Sequence, residues 1–215
     1  MHRDILSRVL YRNHVTSTTE KHRPRRFSLA GLTCSLYSKG RMRSFLPCWS
    51  GDAFEIACWN GEKIRVAFAL DCCDREAMGF VASTCGISGS MVRDLMLECV
   101  EQRFGTGHTP HRIEWLTDNG SCFAARETVA FASWLGLVSR FTPVRSPESN
   151  GMAEAFVKTF KRDYVYVHDR PDARTVLSQL SAWFADYNEW HPHKGLRMLS
   201  PREFIRSSAT ERCPV

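Results

Sequence analysis

Apolar residues cluster in three short stretches between residues 54 and 84. Residues 54–59 and 63–70 each suit a β-strand, and the pair Asn60-Gly61 lies in the gap between them. Because Asn and Gly both tolerate positive φ, this pair predicts a tight type I′ hairpin. Residues 78–84 form a third strand-like stretch. The pattern therefore predicts three consecutive strands joined by short turns.

Beyond residue 84 the pattern changes to helices that alternate with strands. Apolar residues fall on one helical face over residues 90–104, and Gly105 is a typical stop signal. The further predicted elements are a strand at 112–116, a helix at 124–135 that stops at Gly136, a strand at 137–141, a helix from about 150 to 164 and a helix at 172–188. This order predicts an α/β fold with a mixed five-stranded sheet flanked by helices, followed by a helical tail. We expect one domain at residues 49–190 and a C-terminal tail at 191–215.

The positive charge of the chain is concentrated at its start. Residues 1–48 hold ten Lys or Arg and two acidic residues, whereas residues 49–215 carry a small negative net charge within a total of +6. The first 48 residues also lack a sustained period, so we expect a basic, poorly ordered arm. Such an arm suits a polyanion such as DNA, and a solvated tail explains it equally well.

The apolar runs and the cysteines of the chain indicate its cellular compartment. No apolar run approaches the ~18 residues that a membrane helix needs, and no apolar stretch near the start suits a secretory signal. The nine cysteines include no C-x-x-C pair, and several lie inside apolar runs. We interpret them as reduced core thiols of a cytoplasmic protein with no membrane partner.

Two acidic residues occupy positions from which a carboxylate can serve a site. Asp118 stands between an apolar strand and a glycine turn, and Glu154 lies just inside the helix that begins near residue 150. Lys158 and Lys161 follow Glu154 on one helical face. Taken alone, Asp118 is better explained by an Asx turn, and Glu154 by a surface ion pair with Lys158.

The two acids lie in longer motifs that resemble a known family. Trp-Leu-Thr-Asp-Asn-Gly at 115–120 and Ser-Pro-x-Ser-Asn-Gly-x-x-Glu at 146–154 resemble the catalytic core of retroviral integrases and bacterial insertion-sequence transposases. Residues 187–193, Leu196 and residues 200–204 resemble a C-terminal signature of the transposases. The resemblance covers about residues 49–206 and is strongest to the larger open-reading-frame product of two-frame elements.

The first carboxylate of that family stands in a Trp-x-x-Asp pattern, which Trp49 and Asp52 match here. Asp71 is an alternative, because it directly follows an apolar strand, and a hairpin that pivots on Asn60-Gly61 places it at the same end of the sheet as Asp52. The resemblance implies that the first strand neighbours the fourth, which moves Asp71 one strand further away. We choose Asp52, and Asp71 remains the rival.

The resemblance implies a ribonuclease-H-like integrase core at residues 49–190. It implies an enzyme that cleaves DNA and transfers the cut strand during integration and recombination. Asp52, Asp118 and Glu154 would be its catalytic residues and would bind Mg²⁺, with Mn²⁺ as a substitute. Carboxylate oxygens are the ligands that Mg²⁺ prefers, and paired divalent ions suit displacement at phosphorus.

The same resemblance implies the partners. They are the transposon ends and target DNA, further copies of this chain on the DNA and, as a possible partner, the smaller transposase product of the same element. The location implied is the bacterial cytoplasm, associated with the nucleoid. The predicted DNA contacts are Lys158, Lys161, Asn119, Ser149 and Asn150. A role in the turn explains Asn119 equally well, and helix capping explains Asn150 equally well. A packed turn explains His191 and His193 better than DNA contact does.

The basic arm leaves an alternative function open. Residues 1–48 do not resemble the helical, DNA-recognising sequence that precedes the catalytic core in the family. The alternative is a truncated, catalytically incompetent remnant that only binds DNA or its partner subunits.

Overall fold

The structure, a computed structural model, describes residues 37–38, 41–42, 46–142 and 150–210. Its strands are β1 Tyr37–Ser38, β2 Arg41–Met42, β3 Cys48–Ala57, β4 Lys63–Asp71, β5 Ala77–Ser83, β6 Ile113–Thr117 and β7 Leu137–Phe141. Its helices are α1 Gly89–Phe104, α2 Ser121–Ala124, α3 Arg126–Leu135, α4 Gly151–Phe160, α5 Ala173–Trp190 and α6 Pro201–Thr210. A π-helical turn, Lys161–Val165, continues α4, and a short 3₁₀ turn, Lys194–Leu196, precedes α6.

Five strands form one mixed sheet in the order β5-β4-β3-β6-β7. The first three strands of this sheet along the chain pair antiparallel, while β3 with β6 and β6 with β7 pair parallel. The mixed five-stranded sheet and its flanking helices are therefore confirmed. Strand β3 is central, and it begins six residues before the predicted start at residue 54, because the polar stretch Ser50-Gly51-Asp52 broke the apolar pattern without ending the strand.

The predicted type I′ hairpin is wrong. Gly61 has φ 88°, but Asn60 is not among the residues with positive φ, which a type I′ turn requires at both positions. The Cys58 N–H donates to Glu62 O and the Gly61 N–H to Cys58 O, so the loop spans three residues and only its last is left-handed. The register follows from this loop: Asp52 lies opposite Phe68, and Asp71 lies opposite Trp49.

Side-chain alternation divides the sheet into two buried faces. Phe54, Ile56 and Phe68 point to the face covered by α4 and α5, called here the α4/α5 face. Trp49 and Ala67 point to the opposite α1/α3 face, where they meet α1, α3 and the inward residues of β6. Cys58 and Cys99 lie in these apolar clusters, one on each face.

Helix ends follow the predicted signals closely. Gly105 and Gly136 end α1 and α3 with φ 70° and 89°, the left-handed conformation that glycine adopts without strain. The predicted helix at 124–135 corresponds to α3, which begins two residues later, and the short α2 precedes it. Helix α6 lies in the predicted C-terminal tail, for which no helix bounds were predicted. It begins with a capping box in which Glu203 N–H donates to Ser200 Oγ and Ser200 N–H to Glu203 Oε2.

Most of the predicted disordered arm lies outside the described residues. Within it the structure describes a short antiparallel pair, β1 with β2, which the sequence pattern did not predict. Within the described residues, no helix combines the length and the apolar character needed to cross a membrane.

Candidate metal centre

Asp52 stands near the middle of β3, on the α4/α5 face. It lies two residues before the buried Phe54, so strand alternation points both side chains the same way. Its Oδ1 accepts a hydrogen bond from Ala53 N–H at 2.7 Å. Pairing of β3 with β6 ends at Ser50, so no described strand pairs with that edge of β3 beside Asp52.

Asp118 follows the last residue of β6 and is exposed. Its Oδ1 accepts a hydrogen bond from Gly120 N–H at 2.9 Å, which is the Asx turn weighed as the structural alternative. The turn role and a ligand role are compatible, because Oδ2 accepts no hydrogen bond from the described residues. Buried Trp115 and Thr117 face away from the α4/α5 face, so the alternation of β6 carries Asp118 toward it.

Glu154 lies on the exposed side of α4, one turn after the helix begins. The neighbouring Ala153 and Phe156 are buried against the sheet and fix the rotation of the helix. Within the described residues Glu154 forms no hydrogen bond or ion pair. The sequence alternative of an ion pair with Lys158 is therefore not formed.

The three carboxylates interact electrostatically. Burial raises the pKa of Asp52 to about 6, the negative charges of Asp118 and Glu154 add to this rise, and the Ala53 hydrogen bond opposes it. Within the described residues, no group of three His, Cys, Asp or Glu side chains lies close enough to hold one ion as placed. The acids thus share one electrostatic environment without converging on a single point. Their remaining oxygens are hard donors of the type that Mg²⁺ and Mn²⁺ prefer, so the residues fit such ions.

Asp71 lies on the other side of the sheet. It pairs in register with Trp49, and its Oδ2 accepts a hydrogen bond from Trp49 Nε1 at 3.0 Å and faces Arg103 at 3.5 Å. Burial and the neighbouring Asp74 raise the pKa of Asp71 to about 6, while the Arg103 charge opposes them. Asp71 therefore belongs to a buried ion-pair network on the α1/α3 face, away from Asp52.

Positive charge lines the surface beside Asp52. Lys161 Nζ lies 5.7 Å from the centroid of the Phe54 ring, and Lys158 is exposed one turn before it. A hydrogen bond from Lys63, together with the charges of Arg65 and Lys161, lowers the pKa of Glu55. Lys63 and Arg65 form ion pairs with Glu55 at 2.9 and 3.6 Å, on the side of the sheet that faces away from Asp52. Lys158 and Lys161 remain the predicted cations on the side of Asp52.

The remaining predicted DNA contacts lie in different surroundings. Asn119 is exposed, and its Nδ2 donates to Thr142 O at 2.8 Å, a contact that fastens the loop after β6 to the end of β7. Asn150 is buried, and its Oδ1 accepts a hydrogen bond from Ser50 Oγ. Asn150 stands at the N-cap position of α4, but its side chain caps no helical N–H, so the capping alternative is wrong. Ser149 lies outside the described residues.

The C-terminal signature is a packing motif in this structure. The Asn188 carboxamide bonds both the N–H and the C=O of Ala77 at 2.9 Å, which holds the edge strand β5. His191 stacks on Tyr187 with ring centroids 5.4 Å apart, and His193 meets Tyr187 edge-on at 5.2 Å. These contacts agree with the packed turn expected for the two histidines.

The two residues between Trp49 and Asp52, Ser50 and Gly51, have structural roles that were not predicted from the sequence. Ser50 is buried on the α4/α5 face, and a Cβ added at Gly51 would lie 2.8 Å from Trp115 Cζ2, so only glycine allows β3 and β6 to approach so closely. A buried hydroxyl needs a partner, and this was the available signal for Ser50. It was not used because the strand was predicted to begin after it.

A cavity of about 290 Å³ lies elsewhere, between α3 and β7. None of the three carboxylates lines it. Its lining residues are Arg112, Val129, Ser133, Gly136, Leu137, Val138 and Ser139.

Known proteins match the chain over the same region. Two family profiles, both described as "Integrase core domain", match residues 46–147 and 135–201. An uncharacterized protein of insertion element IS136 from Agrobacterium fabrum is 56% identical over 169 residues, which are 78% of this chain and 86% of that protein. A putative transposase InsD of insertion element IS2E from Escherichia coli K12 is 53% identical over 161 residues, 75% of this chain and 74% of that protein. The chain belongs to the insertion-sequence transposases with an integrase core domain.

A longer transposase InsD from Escherichia coli matches this transposase-family chain at 53% identity, and the match spans 54% of that relative. Among solved structures, a chain of the simian T-cell lymphotropic virus intasome aligns with a TM-score of 0.60 at 18% identity, over 80% of this chain and 58% of that one. The HTLV-2 integrase catalytic core, solved in complex with magnesium, aligns with a TM-score of 0.54 at 14% identity. The alignment covers 75% of this chain and 99% of that one. The ribonuclease-H-like integrase fold expected from the motifs is therefore confirmed.

Proposed function

We propose that this chain cleaves DNA at transposon ends and joins the cut strand to target DNA, with Asp52, Asp118 and Glu154 as the metal-binding catalytic residues. One observation carries the proposal. Strand β3, the loop after β6 and helix α4 each place one acid on the same face of the sheet, where burial and, to a smaller extent, the charges of Asp118 and Glu154 raise the pKa of Asp52. Bringing like charges together is unfavourable unless a cation neutralises them.

The proposed reaction is a displacement at phosphorus. In cleavage, water forms a new P–O bond as the bond to the 3′ oxygen breaks, which leaves a 3′ hydroxyl and a 5′ phosphate. In joining, that 3′ hydroxyl attacks a target phosphodiester, and the target's own 3′ hydroxyl is released. Bound Mg²⁺ or Mn²⁺ would supply charge stabilisation for the attacking and leaving oxygens.

The chain's own residues would orient the reactants. Asp52 and Asp118 are held by backbone hydrogen bonds that leave one oxygen of each available. Lys158 on α4 and Lys161 in the turn that continues it lie on the same side of the sheet as Asp52 and are proposed to bind DNA phosphates. Asn119 and Ser149 remain proposed DNA contacts, and further copies of the chain and the smaller transposase product remain proposed partners.

A strand-joining assay tests this function. Purified chain, Mn²⁺ and labelled duplexes carrying the sequences that flank the coding region should yield joined products longer than the substrate. Asp118→Asn and Glu154→Gln should reduce joining at least a hundredfold, whereas Asp71→Asn, the matched control on the opposite face, should retain it. Loss of joining in Asp71→Asn with retention in Asp52→Asn would show that the assigned triad is wrong. Tight DNA binding with no joining by the wild type would favour a binding-only protein.

A further inference from the structure

Strand β3 and helix α4 run side by side in the same direction. Near their starts, Ser50 Oγ donates a hydrogen bond to Asn150 Oδ1, and further along the ring centroids of Phe54 and Phe160 lie 5.7 Å apart. The two spans match in length: four strand residues extend roughly 13 Å, and ten helical residues extend roughly 15 Å. Asp52 and Glu154 lie between these two contacts.

The two contacts differ in how many neighbouring contacts support them. The Phe end belongs to an aromatic cluster in which Phe160 also meets Phe156, Tyr164 and Phe184. At the other end, Asn150 caps no helical N–H, and a Cβ added at Gly151 would meet nothing within 4 Å. Within the described residues, the Ser50–Asn150 hydrogen bond is thus the polar contact that joins the start of α4 to β3, beside the burial of Ala153 against the sheet.

We propose that the Ser50–Asn150 hydrogen bond is a positioning contact that sets the first turn of α4, and so the Glu154 carboxylate, at the correct distance from Asp52. The proposal rests on the assignment of Glu154 to the metal site. It gives Asn150 a role through Glu154 in place of a contact with DNA. Both side chains are more than nine-tenths buried, which suits a positioning role.

Ser50 decides between these two roles, because it lies on a buried strand and at 1% exposure cannot touch DNA. If Asn150 acts through Ser50, Ser50→Ala and Asn150→Ala should share one defect, and the double variant should be no worse than either. If Asn150 binds DNA, only Asn150→Ala should weaken DNA binding.

The first measurement is Mn²⁺ affinity of the full chain by calorimetry. Each single variant is expected to raise the Kd for Mn²⁺ about tenfold, the effect typical of residues that orient metal ligands. Ser50→Thr, which keeps the hydroxyl, should stay within about threefold of the wild type if the bond is what matters. Amide exchange in the first turn of α4, measured without metal, should quicken equally in both alanine variants.

The second measurement separates positioning from general stability. Ser200→Ala is the matched control, because Ser200 is also a buried hydroxyl at a helix start but belongs to α6. It should lose comparable stability and keep wild-type Mn²⁺ affinity. In strand joining, the Ser50 and Asn150 variants should lower kcat about tenfold or more and leave the KM for DNA within about twofold.

Two results would overturn the positioning role by itself. The first is that Ser50→Ala keeps the wild-type affinity for Mn²⁺ and the wild-type amide exchange in α4, while Glu154→Gln abolishes Mn²⁺ binding. This result rejects the positioning contact and keeps the metal site. The other is a loss of Mn²⁺ affinity in Ser200→Ala as large as in Ser50→Ala. Wild-type Mn²⁺ affinity in both Asp118→Asn and Glu154→Gln would instead reject the metal site, and the positioning role with it. A chain that binds Mn²⁺ but joins no DNA would reject the proposed reaction alone.

Discussion

At the scale of single residues, the parity of side chains along β3 and β4 determines the role of each acid. Asp52 faces α4 and lies within the electrostatic influence of two other carboxylates, whereas Asp71 faces α1 and forms an ion pair with Arg103. From the sequence Asp52 was the choice and Asp71 stayed a rival, because both stand on strands at the same end of the sheet and the apolar pattern does not fix the register between those strands. A shift of one residue moves a side chain to the other face.

Asp71 should therefore matter for stability and not for metal. Asp71→Ala removes the acceptor of the buried Trp49 indole N–H and of Cys73 N–H. It should lower the free energy of unfolding by about 2–3 kcal/mol, whereas Asp71→Asn, which keeps an acceptor oxygen, should lose less. Denaturant titration with and without Mn²⁺ checks this, and a loss of Mn²⁺ affinity in either variant would contradict it.

Asp52→Asn should show the reverse pattern. The pKa of Asp52 in the folded protein, about 6, is above its ordinary value of 3.8, so at neutral pH its ionisation opposes folding. The substitution should raise the metal-free stability at pH 7 by about 1 kcal/mol, after allowance for solvent screening, and should abolish Mn²⁺ binding. The gain should shrink as the pH falls from 7 to 4, because the wild-type carboxyl then becomes protonated; equal gains at both pH values would contradict this origin.

His193 should make the fold sensitive to acid. Burial and the charges of His191 and Arg75 lower its pKa to about 4 from an ordinary value of 6.5. A depressed His pKa means that the stabilising neutral state is fully available above pH 6.5 and is lost as the pH falls toward 4. Relative to His193→Asn, the wild type should lose about 1 kcal/mol between pH 7.5 and 5. Unfolding titrations at both pH values measure the difference, and a constant gap would contradict it.

At the scale of elements, the C-terminal signature holds the outer part of the sheet. Asn188 on α5 bonds the backbone of β5, and Arg202 on α6 bonds Glu189 on α5 and Glu76 before β5. The apolar pattern predicted the bounds of α5 but not those of α6, because the helix-capping residues Ser200 and Glu203 follow a loop without an apolar period. The strand β5 is recognisable from its own pattern, but its fastening to α5 arises from residues 111 positions apart.

Removal of the Asn188 contact should loosen β5. Asn188→Ala leaves the N–H and C=O of Ala77 without their partner, and a buried backbone group that loses its hydrogen bond costs about 1–3 kcal/mol. We expect a loss of about 2–3 kcal/mol in unfolding free energy and faster amide exchange at Ala77. Asn119→Ala is a control that removes an exposed carboxamide contact, and it should cost well under that amount.

At the scale of the whole molecule, the acids come from parts of the chain that only folding brings together. The folded state should therefore bind divalent ions better than the unfolded chain. At a free Mn²⁺ concentration ten times its Kd, the free energy of unfolding should rise by about 1.4 kcal/mol. Thermal or denaturant unfolding with and without Mn²⁺ tests this, and Asp118→Asn should remove the increment. An equal increment in that variant would place the bound ion elsewhere.

The sequence by itself determined the order of strands and helices, the glycine stops of α1 and α3, and the motifs around Asp118 and Glu154. These features rest on local periods, local turns and a long family resemblance, all of which are readable in a linear chain. Tertiary structure alone decided the start of β3, the loop at Gly61, the register of Asp52 and the partner of Asn150. The physical reason is that each of these depends on contacts between distant residues: a buried polar residue such as Ser50 breaks an apolar pattern in sequence, and only its partner a hundred residues away accounts for it.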